Sequence, residues 1–558
     1  MAQWITGRRR ISARLSFLAI ALAAACTAAL TSALASPSGS APATNRQQIA
    51  QHLLKTKAGQ LMTMPAQMFL HMQATGTRQL STAPSTAGSP QPGGQVATGG
   101  AAALAPATGF TNVRVNNPAL DNHQVDQTTQ SETTIAQSGS HVAVGYNDSQ
   151  QSLLFSTAGS NSTGYSYSTN GGKTFTDGGD LPNTPEFNNF GDPWMTSDRS
   201  GAMYYSTLAG DFFNFNLDVV VGKSTNGGKT WGTPVPVYRP PFEIAYSADK
   251  DAIASGPDPV VKSRDNLYDT WDDFSSDINT GDTFTGLPVA HSTDGGKTWH
   301  LVYADRFKLP TSGCSFQQYI GSLPIVDKST GVLDVVAEKI VVVDPNCTGT
   351  APTQLSESFF KSADGGKTFT PGVKIANITT AEPDGLVHLG PGRYMRTIEF
   401  PTIALRGNAI YVAWNDGGQG GHSHIRLATS TNGGTTWSVK FVTSGTGDEV
   451  QPALSADSKG IHLLYYQRNK DNTLDVLVRN SQNGTSFTTR RVTTRSFRGT
   501  LTIPQFDPII AFGYMGDYIA NVSNGSHELF AWGDNRDTVR DFMYPHGRND
   551  PDVFFASQ

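Results

Sequence analysis

From about residue 110 onward, apolar and polar residues alternate in short runs broken by Gly, Asn, Asp and Ser, the period-two pattern of half-buried strands. Residues 217–223 and 425–429 are typical, and each runs into the same kind of octapeptide. Ser168-Thr-Asn-Gly-Gly-Lys-Thr-Phe175 returns at 224–231, at 292–299, at 362–369 and at 430–437, and a shortened sixth copy runs from Ser481 through Asn483 and Gly484 to Phe487. Start-to-start spacings of 56, 68, 70, 68 and 51 residues suit one four-stranded sheet per repeat. The motif has a turn mechanism. Asn or Asp at its third place bonds the backbone two residues on, the Gly pair supplies positive φ, and the closing aromatic packs between neighbouring sheets. The octapeptide therefore predicts a hairpin turn between a third and a fourth strand.

These copies resemble the Asp-box of sialidases and related secreted β-propellers. The resemblance implies an all-β fold built as a β-propeller of four-stranded antiparallel blades, with the boxes on the face opposite the active site. Counting the first hairpin of each blade gives seven: turns at 137–140, 198–201, 263–266, 327–331, 406–408, 456–460 and 523–526, each between two apolar strands. Six blades are the alternative. The seventh blade lacks a fourth strand, and residues 111–116 are placed to supply it and close the ring, which removes an exposed sheet edge.

Composition narrows the rest. With 57 Gly, 31 Pro and 16% charged residues in 558, the chain turns often and long helices are not expected. A net charge of −5 makes nucleic acid a poor partner. Residues 1–35 read as a secretory signal: Arg8, Arg9, Arg10 and Arg14, an uncharged run, then Ala33-Leu34-Ala35. A lipoprotein attached through Cys26 and a retained anchor are the competing readings. Residues 36–107 are an Ala/Ser/Thr/Gly/Pro-rich linker or prosegment, and the propeller spans 108–558. No later stretch is apolar enough to span a membrane, so a soluble, secreted monomer is expected. Cys314 and Cys347 remain after signal removal and are expected to pair as a disulfide, with two free buried thiols as the alternative.

Strand direction alternates within a blade, so the face opposite the boxes collects the starts of first strands and the ends of second strands. That face gathers Glu132, Asp192, Asp251, Arg396, Glu399, Glu449 and Asp517 from strand starts, and Asp148, Asp272, Asp273, Asp416, Arg468, Asp534 and Arg536 from strand ends. Charges repeated around an axis form a funnel that focuses cations or polar ligands; the bland reading is that such acids merely bond loop amides. Catalytic candidates are Asp192, Asp251, Arg396, Glu399 and Arg536, with Glu132, Glu449, Arg468 and Asp517 as binding candidates.

The resemblance to sialidases implies an arginine triad for a carboxylate, a Tyr nucleophile paired with Glu, and an Asp acid, a departure from the two-carboxylate scheme. This sequence departs from that set in turn. The Phe/Tyr-Arg-Ile-Pro motif is missing, Arg114 is the only arginine before the first hairpin of the propeller, and Arg239, Arg396, Arg468 and Arg536 are the substitutes, with Tyr394 and Tyr514 as candidate hydroxyls. Asp272, Asp273 and Asp277, with Asp282, form the most acidic stretch and a candidate Ca2+ loop; no cofactor is otherwise required. Three functions are consistent with these residues: a propeller that binds glycan or protein through its charged face, an exo-glycosidase of the sialidase type, or another polysaccharide-degrading enzyme.

Overall fold

The computed structural model describes Gln51 and residues 109–558, except 124–126, 152–159, 212–215, 349–350, 381, 383–384, 500–514, 524, 526 and 541–544. The expected signal, the expected linker apart from Gln51, and Tyr514 lie outside the described residues. The described chain is all-β, with one three-residue 3-10 turn at Pro118–Leu120. Among the described residues no helix is long and apolar enough to cross a membrane.

The strands form four-stranded antiparallel meanders. The first runs through Gln130–Ser138, His141–Gln151, Asn161–Ser168 and Thr176–Asp180, and the second through Asn188–Ser197, Met203–Asp211, Asn216–Ser224 and Val235–Pro236. The third comprises Ile244–Pro257, Asp265–Asp277, Thr283–Ser292 and His300–Lys308, and the fourth Phe316–Val326, Leu333–Val342, Thr353–Ser362 and Val373–Ile378. The fifth uses Thr402–Arg406, Ala409–Gln419, His422–Ser430 and Ser438–Phe441, and the sixth Glu449–Ala456, Ile461–Arg468, Thr473–Ser481 and Thr488–Arg491. The last contains Ala520–Ser523, Glu528–Val539 and Arg548–Ser557, and its outer strand is Val113–Arg114 from the other end of the chain. The opening strand of each meander packs on that of the next, and Ala520–Ser523 returns to Gln130–Ser138.

No single core fills this ring. Apolar side chains cluster between successive meanders instead: Met195 and Tyr205 meet Ala143 and Tyr165, while Trp271 and Ile253 meet Leu217 and Tyr204. The boxes pin the outer rim of these interfaces. In the first copy the Ser168 hydroxyl donates to Asn170 Oδ1 at 2.8 Å and accepts from the Gly172 amide at 3.0 Å. The third copy repeats this at 2.9 and 3.0 Å through Ser292, Asp294 and Gly296. Gly172 has φ +84°, and a Cβ there would lie 2.2 Å from the Phe555 ring of the closing meander, so both conformation and contact require glycine. Phe175 packs edge-on against the same ring at 5.1 Å.

Cys314 and Cys347 are bonded, as expected, across the start of the fourth meander, with their Cα atoms 4.9 Å apart. Closure through residues 111–116 also appears: Val113 and Arg114 pair with Phe555 and Phe554, and the Val115 amide donates to the Val553 carbonyl at 2.9 Å.

Two outcomes test this account. A chain starting at residue 118 should melt at least about 5 °C below one starting at 109 and aggregate faster, because the last strand loses its partner. Equal melting temperatures refute the closure. At the box, burial opposes the Asp294 charge, but bonds from the Thr298 hydroxyl and amide, Ser292 and Lys297 hold its carboxyl down at about 2. Asp294→Ala should therefore lower the melting temperature by about 3 °C without altering ligand binding, as calorimetry and binding assays on one preparation will read.

Candidate functional site

On the face opposite the boxes, five of the seven opening strands share one irregularity. Pairing with the second strand slips between Ser131 and Thr134, Gly191 and Trp194, Asp249 and Ala252, Ile320 and Leu323, and Val450 and Ala453. Each slip is a β-bulge. The bulged residues Glu132, Asp192, Lys250 and Gln451 have φ of +53°, +54°, +44° and +51°, and Gly321 has +61°. Left-handed backbone costs a non-glycine residue about 1–2 kcal/mol, so something must hold each bulge in place.

The holding groups come from the neighbouring meander. Asn147 Oδ1 accepts the Asp192 amide at 2.8 Å, Asp272 Oδ2 the Gly321 amide at 2.9 Å, and Asn415 Oδ1 the Gln451 amide at 3.3 Å. Asp192 Oδ2 takes the Lys250 amide at 3.2 Å, and Glu132 Oε1 takes the Asp517 amide at 3.1 Å. Gln451 Nε2 donates to the Gly516 carbonyl at 2.6 Å. Side chains at the ends of second strands and in the bulges thus tie one opening strand to another around the axis.

Inside this ring Lys250, 3% exposed, lies 4.2 Å from the ring centres of both Trp194 and Tyr518. Burial lowers its pKa, against the pull of Asp251, Asp192, Asp272 and Glu132. A cavity of about 230 Å³ follows the axis, with Trp194, Lys250, Gly321, Gln451 and Tyr518 in its wall together with apolar side chains such as Leu323 and Ile403.

The Arg396 guanidinium forks onto Asp517, with Nε to Oδ1 at 2.8 Å. It is positioned by a hairpin, Leu386–His388 with Tyr394–Arg396, that precedes the fifth meander. Val387, Leu389 and Met395 of that hairpin join the cluster of Val450, Phe497, Met515 and Trp532, so the hairpin reaches over the sixth and last meanders.

The remaining candidates are also engaged. Arg468 pairs with Asp448 at 2.5 Å, Arg536 pairs with Asp534 at 2.5 Å and lies over the Phe554 ring, and Arg239 pairs with Glu186 at the surface. Glu449 bonds His424 and the Gly445 amide. Each of the four substitute arginines thus serves a different carboxylate rather than a shared anion site. The bland reading of the strand-start acids describes Asp192 and Glu132 well: they bond amides. Asp251 faces Asp269 beside Ser206, whose hydroxyl donates to Asp269 Oδ2 at 2.6 Å. Glu399 is buried near Glu357, whose two carboxyl oxygens accept no hydrogen bond. Burial, then Glu338, Glu399 and Asp416, push the Glu357 carboxyl well above its usual range.

The expected calcium loop is dispersed. Asp272 and Asp273 are successive residues of one strand and point to opposite faces. Asp272 bonds the Gly321 amide, Asp273 accepts from the Tyr303 hydroxyl at 2.6 Å, and Asp277 caps its own turn through the Asn279 amide at 2.8 Å. Sequence reasoning missed Lys250, Trp194, Gln451 and Tyr518; alignment of the opening strands by register rather than by charge was the signal that could have found them.

The BNR/Asp-box repeat matches residues 290–301, within the third octapeptide and its flanks. No curated protein matches it in sequence. Solved structures that resemble it include a protein of unknown function from Dyadobacter fermentans DSM 18053, 13% identical over 81% of this chain and 99% of that one, with a TM-score of 0.42. The phage phi92 endosialidase is 10% identical over 80% of this chain and 68% of that one, with a TM-score of 0.39. Trypanosoma rangeli sialidase in complex with sialic acid is 10% identical over 82% and 59%, with a TM-score of 0.38.

The buried acids have a consequence for pH. Burial pushes the Asp269 carboxyl from 3.8 to about 7, so the folded chain keeps a proton that the unfolded chain releases. That contribution to stability is complete below the unfolded value and is lost as pH rises through about 7. Asp269→Asn keeps an acceptor for Ser206 and removes the titration. The variant should gain about 4 °C in melting temperature over the parent at pH 8 and little at pH 4; a pH-independent difference refutes it.

Proposed function

We propose that the chain is an exported, seven-bladed propeller of the sialidase-like kind that binds a glycan through the face carrying the bulge ring. The observation that carries this reading is that ring: left-handed, non-glycine residues Glu132, Asp192, Lys250 and Gln451, of which Lys250 and Gln451 line the axial cavity. Strained backbone of this kind clusters at ligand sites, and the inference runs from the outlier to the function. Seven meanders whose opening strands contact in sequence and return to the first support the blade number. The arginine-led N-terminus and the Cys314–Cys347 bond support export, and a monomer suffices for a ring that closes on itself.

Charge narrows the ligand. Glu132, Asp192, Glu399 and Asp517 outnumber Lys250 and Arg396 around the axis, and Arg396 is already forked onto Asp517. A sugar carboxylate entering here meets acids and no uncommitted guanidinium. Neutral or basic sugars, whose hydroxyls and amines suit carboxylate acceptors and whose apolar faces suit aromatic rings, fit better than sialic acid.

A second reading has its own observation. Burial, then Glu338, Glu399 and Asp416, push the Glu357 carboxyl well above its usual range, which is the direction a glycosidase acid needs. In this reading the chain is an exo-glycosidase or another polysaccharide-degrading enzyme.

A glycan array and a panel of fluorogenic glycosides, run on the purified chain, separate the two. The first reading expects binding to neutral or basic glycans, at least about tenfold weakened in Gln451→Ala, and no turnover. Turnover abolished by Glu357→Gln with binding intact supports the second. Exclusive binding of sialosides overturns the choice of neutral or basic sugars, whereas no glycan binding and no turnover overturns the first reading and leaves a protein as the ligand.

A further inference from the structure

A different cluster lies at the seam where the two ends of the chain meet. Asp121 follows the 3-10 turn Pro118–Leu120, while Asp550 and Asp552 sit two apart on the last strand and so share one face of it. One carboxylate oxygen from each of the three lies within 4.8 Å of the others. We infer that this seam holds a hard divalent cation, Ca2+ before others, ligated by Asp121, Asp550 and Asp552.

Two observations support it besides the convergence. First, the Asp552 side chain is 1% exposed, yet its Oδ2 accepts no hydrogen bond, and neither does the buried Oδ2 of Asp121. The nearest cation to Asp552 is Arg114, at 3.8 Å and already paired with Asp537. A buried carboxylate oxygen without a donor is costly, and a metal ion is the partner that would take several such oxygens at once. Second, negative charge is in excess. Asp550 is matched by Arg548 at 3.1 Å and by the Thr128 hydroxyl at 2.7 Å, Asp121 by Gln130 at 3.0 Å, and Asp552 by Asn116 at 2.8 Å. Two of these three acids therefore have only amide side chains as bonded neighbours, while Asp148 and Asp180 add further acid close by. Both oxygens of Asp180 are buried and accept no hydrogen bond.

The ligand set names the ion class. All the donors are carboxylate oxygens, which exclude soft metals, and three acids drawn from a loop and a strand impose no octahedron, which favours Ca2+ over Mg2+. The location gives the ion a task. It would bridge the segment that enters the ring to the strand that closes it, so loading should stabilise the fold as ligands of the native state do.

The test uses the full secreted chain, treated with EGTA and dialysed. Addition of 1 mM CaCl2 should raise its melting temperature by about 5 °C, with a single site seen by titration calorimetry. Asp552→Asn should abolish both effects. Because Asp552 is buried and that variant can fail to fold, Asp121→Asn, on the entering loop, provides the second reading and should weaken Ca2+ at least tenfold. Asp277→Asn, away from the seam, should keep the full response. The inference is overturned if CaCl2 leaves the EGTA-treated chain unchanged, if Asp121→Asn or a folded Asp552→Asn keeps the parent's response, or if Asp277→Asn loses it. An equal response to MgCl2 overturns the choice of Ca2+.

Discussion

The fold depends on one repeated hydrogen bond: a side-chain oxygen of one meander accepting a backbone amide from the bulge of the next. Asn147 to Asp192, Asp272 to Gly321 and Asn415 to Gln451 are the same device at three places around the axis. An opening strand surrounded by other opening strands has little room for side chains near the axis, and its bulge frees an amide that the ladder no longer satisfies. A neighbour's Asn or Asp satisfies it and at the same time fixes the separation between meanders. This explains why the acids at the axis are buried and engaged, and why the left-handed conformations recur at one level.

The boxes perform a complementary task on the other face. They are closed local units in which Ser and Asn or Asp bond amides within the same octapeptide, leaving a glycine free to lie against the preceding meander. One face is therefore built from short-range bonds that stabilise each hairpin separately, the other from long-range bonds that couple the hairpins. Substitutions in the first act locally, while those in the second propagate along the ring.

This division decides what could be read in advance. The octapeptides, the outer strand at 111–116 and the Cys314–Cys347 bond were legible because each is specified by a few residues in sequence or by a simple count. The site was legible only as a face. Strict alternation treats Asp192 and Asp251 as equivalent strand-start acids facing one cavity, but a bulge adds a residue and redirects everything after it, so Asp192 bonds an amide near the axis while Asp251 turns toward Asp269. Whether an acid binds a ligand or an amide depends on a partner 45 or 58 residues away, as for Asn147 with Asp192 and Asp192 with Lys250, and no local pattern encodes that distance. Lys250 escaped notice for the same reason: its aromatic cage comes from Trp194 in the second meander and Tyr518 in the last.

Burying so many carboxylates is affordable only where something replaces water, and the ring uses different replacements in different places. Amides serve Asp192 and Asp272, guanidinium serves Asp517, and the adjacent Asp251 and Asp269 carboxyls are instead pushed up by burial. The replacements differ in their response to solution conditions. Amide and guanidinium partners are indifferent to pH across the neutral range, whereas the proton held by Asp269 leaves as pH rises through about 7. The closing seam, rich in acid, joins segments more than 400 residues apart, where the entropic cost of closure is highest, and it leaves buried oxygens of Asp121 and Asp552 without a donor. Every interface around the axis depends on that closure, so stabilisation at the seam is felt along the ring.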